Sequence, residues 1–349
     1  MTSRHPMKSS KINSSKMNRH SPPPLAIVHA EESRMGMTRL LARSVVFGGF
    51  FLVGCLSSMV SAEVPKTATN IFIWPELAPG ETSLDVGSAL PPRPTDKSDV
   101  TRVSGVRRPS IDVFLPEHPN GTALLVLPGG GFGKIVPDME GSATAPIFNR
   151  LGVAVFVLRY RTNELKAEDE PSWQRPLQDA QRAIRLIRSK ANEWNINPER
   201  VGQLAFSAGG QVGAVLHTSE GVAAYDAIDA VDSQDCLPSF SMLVYPWRIV
   251  VSGSDKEENS IGQLLPEIKP GPNSPPAFIV HTHDDRSSSI GSVLLYAGLK
   301  RHGVMAELHV YESGGHGYGT RTVAGSNIGT WTDRATDWLL NRELATPLR

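Results

Sequence analysis

Ser207 lies in a sequence context that would turn its hydroxyl into a nucleophile. It follows the apolar run 201–206, and small residues flank it at Ala205 and Gly209. A sharp turn from a strand into a helix holds a serine clear of the backbone, and it needs small residues two positions before and after that serine. Ala205 stands where the G-x-S-x-G pattern has glycine, which is the smallest departure available. The sequence therefore predicts a nucleophile elbow at Ser207.

Candidates for a base and an acid follow Ser207 in the chain. His316 lies in a glycine-flanked loop after the alternating run 307–311, and Asp284 and Asp285 end an earlier apolar run. Serine needs a base to remove its proton, and a carboxylate beside that histidine fixes its tautomer and stabilises the imidazolium. We predict Ser207, Asp285 and His316 as a catalytic triad. Asp284 remains the alternative acid, and the aspartate left over would be a solvated or capping carboxylate.

A glycine run could supply the donors that stabilise a developing oxyanion. Residues 129–133 contain four glycines and follow the apolar run 123–127. Glycines after a strand let several backbone N–H groups point toward one spot. We predict that the N–H groups of Gly130, Gly131 and Ala208 form an oxyanion hole. A phosphate-binding loop is the alternative, but the run lacks the spacing of either common phosphate motif.

The elements that must position these residues alternate between strands and helices. Strands are predicted near 71–74, 111–115, 123–127, 153–158, 201–206, 240–245 and 307–311 and in the run from 276, and helices at 138–150, 177–194, 208–216 and 331–340. Such alternation predicts an α/β fold with a mostly parallel central sheet and helices on both faces. Its active site lies at the carboxyl ends of the strands. Arg182, Arg185 and Arg188 fall mainly off the apolar stripe of helix 177–194, which predicts a solvated face.

A long irregular segment follows the strand at 240–245. Residues 246–275 contain five prolines and no clear periodicity. Long loops in compact domains are often functional, so we expect this one to overhang Ser207. Trp247 is the candidate for a substrate-facing aromatic side chain. A buried core tryptophan is the alternative.

The N-terminal 62 residues are predicted to lie outside the folded domain. A basic start after Met37 leads into an apolar run, and small residues precede Glu63, as in a signal peptide. We expect translation to begin at Met37 and cleavage to precede Glu63, giving an exported protein. The alternative is a lipoprotein acylated at Cys55, because residues 52–55 resemble a lipobox. If cleavage before Glu63 removes Cys55, Cys236 would be the only cysteine of the mature protein and would have no disulfide partner within it.

The remaining chain divides into a lead-in at 63–110, loop-rich with one strand, and a catalytic domain at 111–345. Residues 1–62 hold 8 basic and 2 acidic side chains, whereas the rest hold 27 and 33. A mildly acidic domain argues against nucleic acid as a partner. His281, His283 and Asp284 could be considered as metal ligands, but histidines at a strand end more often pack or form hydrogen bonds. We predict no metal and no cofactor.

At these motifs the chain resembles the α/β-hydrolase esterases of the acetyl-xylan and feruloyl esterase type, which border on the hormone-sensitive-lipase-like esterases. The similar segments are PGGGF at 128–132, EG at 140–141, LGVAVFVLRYR at 151–161, PLQDAQRA at 176–183, HTHDD at 281–285, and IWP at 73–75 with APG at 78–80. The resemblance extends over roughly 70–340 and favours Asp285 as the acid. Ala205 and the segment 286–289 depart from it, and Pro128 replaces a histidine of the lipase-like branch.

The resemblance implies an α/β-hydrolase fold and a secreted or periplasmic serine esterase. Its substrate would be acetyl or other short acyl groups on a polysaccharide such as xylan. A peptidase of the prolyl-oligopeptidase kind shares the order of triad residues, but the chain has no room for the propeller domain of those proteins. A catalytically silent binding module with the same fold is the alternative from a different functional class.

Overall fold

The computed structural model of the protein describes residues 69–96, 100–251 and 262–347. The predicted leader, the signal peptide and Cys55 lie outside these residues. The strands are β1 (Thr69–Phe72), β2 (Val86–Ala89), β3 (Val103–Val106), β4 (Ser110–Phe114), β5 (Ala123–Leu127), β6 (Ala154–Arg159), β7 (Val201–Phe206), β8 (Ser241–Val244), β9 (Ala277–Thr282) and β10 (Ala306–Tyr311). The α-helices are α1 (Ala145–Asn149), α2 (Gln174–Ser189), α3 (Ser207–His217), α4 (Ile290–Arg301) and α5 (Trp331–Asn341).

Eight strands form one sheet in the order β1-β4-β6-β5-β7-β8-β9-β10. The run from β6 to β10 is parallel throughout, and only β1 and β4 are antiparallel to their neighbours. The carboxyl ends of β5, β7, β8, β9 and β10 therefore meet at one edge of the sheet. The segments that follow four of these strands carry the predicted oxyanion loop, nucleophile, acid and base. Ligands bind at this edge in open α/β sheets.

The sheet separates two hydrophobic cores, as its strand pattern requires. Along β5, Ala123, Leu125 and Leu127 face one core, and Leu124 and Val126 face the other. Successive side chains of a strand point to opposite faces, so a strand covered on both sides is apolar throughout. Helices α2, α3 and α4 contribute to the first core, and α1 and α5 contribute to the second. The predicted fold class, a mostly parallel sheet with helices on both faces, is confirmed.

The number of strands expected before β4 needs correction. Residues 63–110 were predicted to hold one strand, but β1, β2 and β3 all lie there. β1 joins the main sheet beside β4, and Trp74 is only 2% exposed in the core. This segment is therefore built into the described fold at its antiparallel edge, because its apolar side chains have the core to pack against.

Two expectations about helices also differ. The helix predicted at 138–150 is reduced to α1, because hydrogen-bonded turns and a short 3-10 turn precede it. Arg182, Arg185 and Arg188 of α2 are buried rather than solvated. Arg182 is 2% exposed and forms ion pairs with Asp229 and Asp232. The helical periodicity alone assigns charged residues to the solvent-exposed face. It carries no information about acidic partners in another segment, such as Asp229, which is 47 residues from Arg182.

Among the described residues, no helix has the length and apolar character needed to cross a membrane.

Candidate active site

Ser207 occupies the turn that joins β7 to α3, and its backbone is strained. Its φ is 52°, in the left-handed region that residues with a side chain rarely adopt. Gly209 makes the turn feasible, because a Cβ there would lie 2.2 Å from the carbonyl oxygen of Leu127. Such strain persists only where the surrounding structure enforces it, and it clusters at functional sites. The turn has the geometry predicted for a nucleophile elbow.

Three side chains form a continuous hydrogen-bonded chain from this turn. Ser207 Oγ lies 2.7 Å from His316 Nε2, and His316 Nδ1 lies 2.7 Å from Asp285 Oδ2. Because a carboxylate only accepts, Nδ1 carries the proton of a neutral His316, and Nε2 is left to accept the serine proton. The structure thus brings together the predicted serine, base and favoured acid. Their catalytic roles stay predictions.

Asp285 is buried, and two histidines contact its carboxylate. His281 Nε2 lies 3.2 Å from the same Oδ2 that contacts His316, and the N–H of Ser287 donates to Oδ1 at 2.7 Å. Burial opposes ionisation of Asp285, but the hydrogen bonds from His281 and His316 outweigh it and hold its pKa below the ordinary value. The carboxylate therefore stays charged, as the orienting acid of a triad must.

Asp284 makes different contacts from its neighbour. Its two carboxylate oxygens accept the N–H groups of Gly314 and Gly315, at 3.2 and 2.9 Å. The Gly315 hydrogen bond is the main cause of the lowered pKa of Asp284. Thr282 Oγ1 also donates to the Gly315 carbonyl oxygen at 2.7 Å. Asp284 is exposed, as expected for the aspartate outside the triad, but it bonds to the loop that carries His316 and does not cap the next helix.

The glycine loop after β5 leaves backbone donors free beside Ser207. Gly130 has a φ of 138° and Gly131 a φ of 68°, and both line the same cavity as Ser207. Within the described part of the chain, neither N–H donates a hydrogen bond, and neither does that of Ala208. Ala208 lies in the first turn of α3, where N–H groups have no acceptor within the helix. These are the three donors predicted for the oxyanion hole, and their role remains a prediction.

Glu140 and Tyr245 connect the glycine loop with the histidine loop. Glu140 accepts the N–H of Gly129 at 2.8 Å and the hydroxyl of Tyr245 at 2.9 Å. The same hydroxyl accepts the N–H of Gly319, also at 2.9 Å. The Tyr245 ring lies 4.9 Å from that of His316. We call Glu140 and Tyr245 the Glu–Tyr bridge.

The Glu–Tyr bridge was missed as a functional feature in the sequence. In the sequence, Glu140 stands in one of the segments similar to the esterases, and Tyr245 ends a predicted strand. Burial raises the pKa of Glu140, although the hydrogen bonds from Tyr245 and Gly129 oppose it. Nothing in the spacing of the sequence pairs Glu140 with Tyr245, which is 105 residues away.

A cavity of about 550 Å³ opens over Ser207 and His316. This volume lies within the usual range for small-molecule sites. Trp247 lines the cavity and is half-buried, and its ring lies 6.1 Å from that of Phe132. Its backbone N–H donates to the carbonyl oxygen of Ser207 at 2.9 Å. Trp247 is therefore not a fully buried core residue, since it packs against the core and also lines the cavity, and its contact with substrate stays a prediction.

The histidines considered as metal ligands are placed differently. His281 is buried, and its ring nitrogens bond to Ser292 Oγ and to the Ser287 carbonyl oxygen, both at 2.8 Å. His283 follows β9 and is exposed. Among the described residues, no cluster of three or more histidines, cysteines or acids could hold a metal ion.

Comparison with known proteins finds similarity to esterases. The BD-FAE family model matches residues 111–238. An acetylxylan esterase of Xylanibacter ruminicola is 30% identical over 254 residues, which are 68% of this chain and 48% of that protein. Endo-1,4-beta-xylanase B of Butyrivibrio fibrisolvens is 28% identical over 56% of this chain and 32% of its own length. The matched regions thus span about half of the first relative and a third of the second.

Solved structures have the same fold. An acetyl ester-xyloside bifunctional hydrolase from Caldicellulosiruptor lactoaceticus matches with a TM-score of 0.60 and 26% identity, over 82% of this chain and all of that one. A thermophilic esterase from Thermogutta terrifontis matches with a TM-score of 0.57 and 17% identity, over 76% of this chain and 98% of its own. The chain therefore has the α/β-hydrolase fold and resembles the esterases of the acetyl-xylan and feruloyl esterase type, as its sequence predicted.

Proposed function

We propose that this protein is a serine hydrolase that cleaves carboxylic esters. The observation that carries the proposal is the hydrogen-bonded chain from Ser207 through His316 to Asp285, with both bonds at 2.7 Å, beneath an open cavity. The names of the similar proteins support ester hydrolysis as the reaction. No cofactor is needed, because the side chains and backbone donors present can carry every proton and charge of the reaction.

The chemistry follows from the positions of these groups. His316 Nε2 takes the proton of Ser207 Oγ as that oxygen attacks the ester carbonyl carbon. The N–H groups of Gly130, Gly131 and Ala208 would stabilise the oxyanion, each worth about 3–4 kcal/mol of barrier. His316 then gives its proton to the leaving alcohol, which leaves an acyl-enzyme. Water, activated by the same imidazole, attacks the acyl carbon and returns Ser207 to its free form.

We propose short acyl groups, above all acetyl, on a polysaccharide such as xylan as the substrate. Two proteins similar to this chain are named for acetyl ester or acetylxylan hydrolysis. The cavity has room for a sugar unit, and Trp247 offers an aromatic surface at its edge. Five of the lining residues are glycine or valine, so part of the cavity wall has small side chains that suit a short acyl group.

The first test measures acetate released from acetylated xylan by the full chain, alongside hydrolysis of 4-nitrophenyl acetate. Ser207→Ala should abolish both activities, with a loss in kcat of about 10⁴-fold or more. Ser88→Ala is the matched control, because Ser88 is exposed on β2 and should leave activity unchanged. Cleavage of the small ester alone would remove xylan from the proposal. Activity that survives in Ser207→Ala would exclude the serine mechanism, and a wild-type protein inactive on both substrates would favour the silent binding module.

We also propose that the protein is exported, through the signal peptide predicted at the N-terminus. Lipid attachment at Cys55 is the alternative form of export. Fractionation of cells that express the full chain, with intact mass of the mature protein, separates the two. A soluble product that begins at Glu63 supports cleavage. Membrane association that is lost in Cys55→Ala supports the lipoprotein, and an uncleaved cytoplasmic chain contradicts both.

A further inference from the structure

Basic side chains surround the cavity over Ser207. Arg93, Arg102, Lys134 and Arg321 all line it, whereas its acidic lining residues are Asp96 and Glu140. Glu140 lies at the buried base of the site, where the N–H of Gly129 and the hydroxyl of Tyr245 satisfy its carboxylate. The cavity wall that a substrate would meet is therefore mainly cationic.

Only one of the four cations is neutralised by a carboxylate. Arg102 forms two parallel hydrogen bonds with Asp96, both at 2.7 Å. Within the described residues, Arg93, Lys134 and Arg321 form no ion pair with an acid. Burial lowers the pKa of Lys134, and the positive charges of Arg93 and Arg102 lower it further. Three cationic side chains thus face one cavity without an ion pair to any acid that the structure describes, an arrangement that an anionic ligand would stabilise.

Two of these cations are fixed to the loops that carry the catalytic groups. Lys134 Nζ donates to the carbonyl oxygen of Gly130 at 3.3 Å, beside the predicted oxyanion hole. Arg321 donates to the carbonyl oxygens of Gly317 and Tyr318, at 2.9 and 3.3 Å, next to His316. The guanidinium and the ammonium retain further donors after these bonds. They therefore border the ester-binding position from two sides.

We propose that this cavity selects esters that carry a carboxylate close to the scissile bond, and that Lys134, Arg321 and Arg93 recognise it. In a polysaccharide, a uronic acid near the acylated sugar is the unit that carries such a group. The inference rests on the proposed ester hydrolysis and adds the charge of the substrate to it. A neutral acetylated sugar would leave the three cations unpaired, whereas a carboxylate would form charge-assisted hydrogen bonds with them.

The experiment compares kcat/KM for matched pairs of esters that differ only in charge. 4-Acetoxybenzoate and 4-acetoxybenzamide place the charge on the alcohol side, and monophenyl adipate and its primary amide place it on the acyl side. Each rate is divided by that of the same ester with hydroxide, which removes intrinsic reactivity. We expect the full chain to favour the anion about tenfold in one pair, as expected for one hydrogen bond to a charged group. The pair that responds identifies the side of the ester that the cations face.

Variants then assign the preference to the cavity. Lys134→Gln and Arg321→Gln should each reduce the preference for the anion several-fold, and Lys134→Glu should reverse it. Lys300→Gln is the control, because Lys300 is exposed on α4 outside this cavity. A displaced histidine loop in Arg321→Gln would slow both esters of a pair equally, so the ratio separates recognition from damage.

Three results would overturn the inference. Equal normalised rates for charged and neutral esters in both pairs would exclude charge recognition while leaving ester hydrolysis intact. A preference that persists in both Lys134 variants and in Arg321→Gln would place its origin elsewhere. Failure to cleave all four esters would contradict the proposed function, and the inference would fall with it.

Discussion

The region that holds the serine and the region that holds the histidine are stabilised in different ways. The serine region, β7 with α3, comes from the centre of the sheet, and each of its residues is buried. The histidine region, β10 with the loop to Gly319, begins on an edge strand whose residues are only partly buried. Packing therefore fixes Ser207, whereas the position of His316 depends on a few hydrogen bonds. Its ring bonds to the Asp285 carboxylate, and its loop bonds to the side chains of Asp284, Thr282 and Tyr245.

This difference has a consequence for substitution. A buried turn is sensitive to volume, because close packing leaves no room for an added atom. A partly exposed loop tolerates volume but depends on its polar contacts, since each missing bond lets the loop sample other positions. We expect changes in the serine region to lower the free energy of unfolding, and changes in the histidine region to lower kcat while the fold persists.

The largest effect is expected for Asp285→Asn, in the histidine region. The amide keeps the size of the side chain but removes the charge that stabilises the imidazolium, and it allows His316 to adopt the wrong tautomer. A fall in kcat of about 10⁴-fold is expected, measured with 4-nitrophenyl acetate. Urea unfolding should show that the protein remains folded. A larger loss in Asp284→Asn than in Asp285→Asn would reverse the assignment of the two acids.

Gly209→Ala tests the steric limit of the serine region. The new methyl group would lie 2.2 Å from the carbonyl oxygen of Leu127 and 2.6 Å from that of Pro128, so the backbone has to move. Alanine favours a helix over glycine by about 1 kcal/mol, but overpacking costs typically 1–3 kcal/mol and occasionally more. We expect the free energy of unfolding to fall by about 2 kcal/mol or more in urea titrations.

Gly133→Ala is the matched control, with the same added methyl group in the glycine loop. A Cβ on Gly133 would have no neighbour within 4 Å, so stability should change by less than about 1 kcal/mol. If both variants unfold at the same urea concentration as the wild type, the serine region is not limited by packing, and the contrast between the two regions fails.

A smaller effect is expected for Asp284→Asn. The change weakens two hydrogen bonds, to Gly314 and Gly315, and leaves the triad side chains intact. Loss of order in the histidine loop should lower kcat about tenfold, and the free energy of unfolding should change by about 1 kcal/mol or less. Asp226→Asn, on an exposed residue, is the control for the loss of one charge. A kcat equal to that of the control would mean that Asp284 does not position His316.

The same contrast explains what the sequence could predict. Ser207 and the glycine loop were predictable because tight turns require small residues, and those residues lie within five positions of each other in the sequence. The fold class was predictable for a similar reason, since strands buried on both faces read as apolar runs. Asp284 and Asp285 could not be separated by spacing alone, because either side chain could reach His316 from the end of β9.

Contacts between distant segments left no such pattern. The Glu–Tyr bridge joins residues 105 positions apart. The predicted solvent exposure of Arg182 on α2 is wrong for the same reason, because its partners Asp229 and Asp232 belong to a separate segment. Periodicity reports whether a position is apolar, but it carries no information about which buried partner a polar group finds.

The Glu–Tyr bridge joins the two regions, and its titration gives the smallest predicted effect. Burial raises the pKa of Glu140 in the folded protein above the unfolded value of about 4.3. Between these two pKa values the folded state binds more protons than the unfolded state, so this group lowers stability as pH rises. Glu140→Gln removes the titration and keeps the size of the side chain. Relative to the wild type, the variant should therefore gain stability as pH rises from 4.5 toward the folded pKa.

Urea unfolding of the wild type and Glu140→Gln at a series of pH values from 4.5 to 8 measures this difference. Tyr245→Phe keeps the carboxyl group and removes one donor that favours its charged form, so its stability should fall more steeply with pH than that of the wild type. The broken hydrogen bonds lower stability at every pH and cancel when slopes are compared. A difference between the wild type and Glu140→Gln that does not vary with pH would show that Glu140 titrates alike in the folded and unfolded states. Burial of the Glu140 charge in the Glu–Tyr bridge would then not lower the free energy of unfolding.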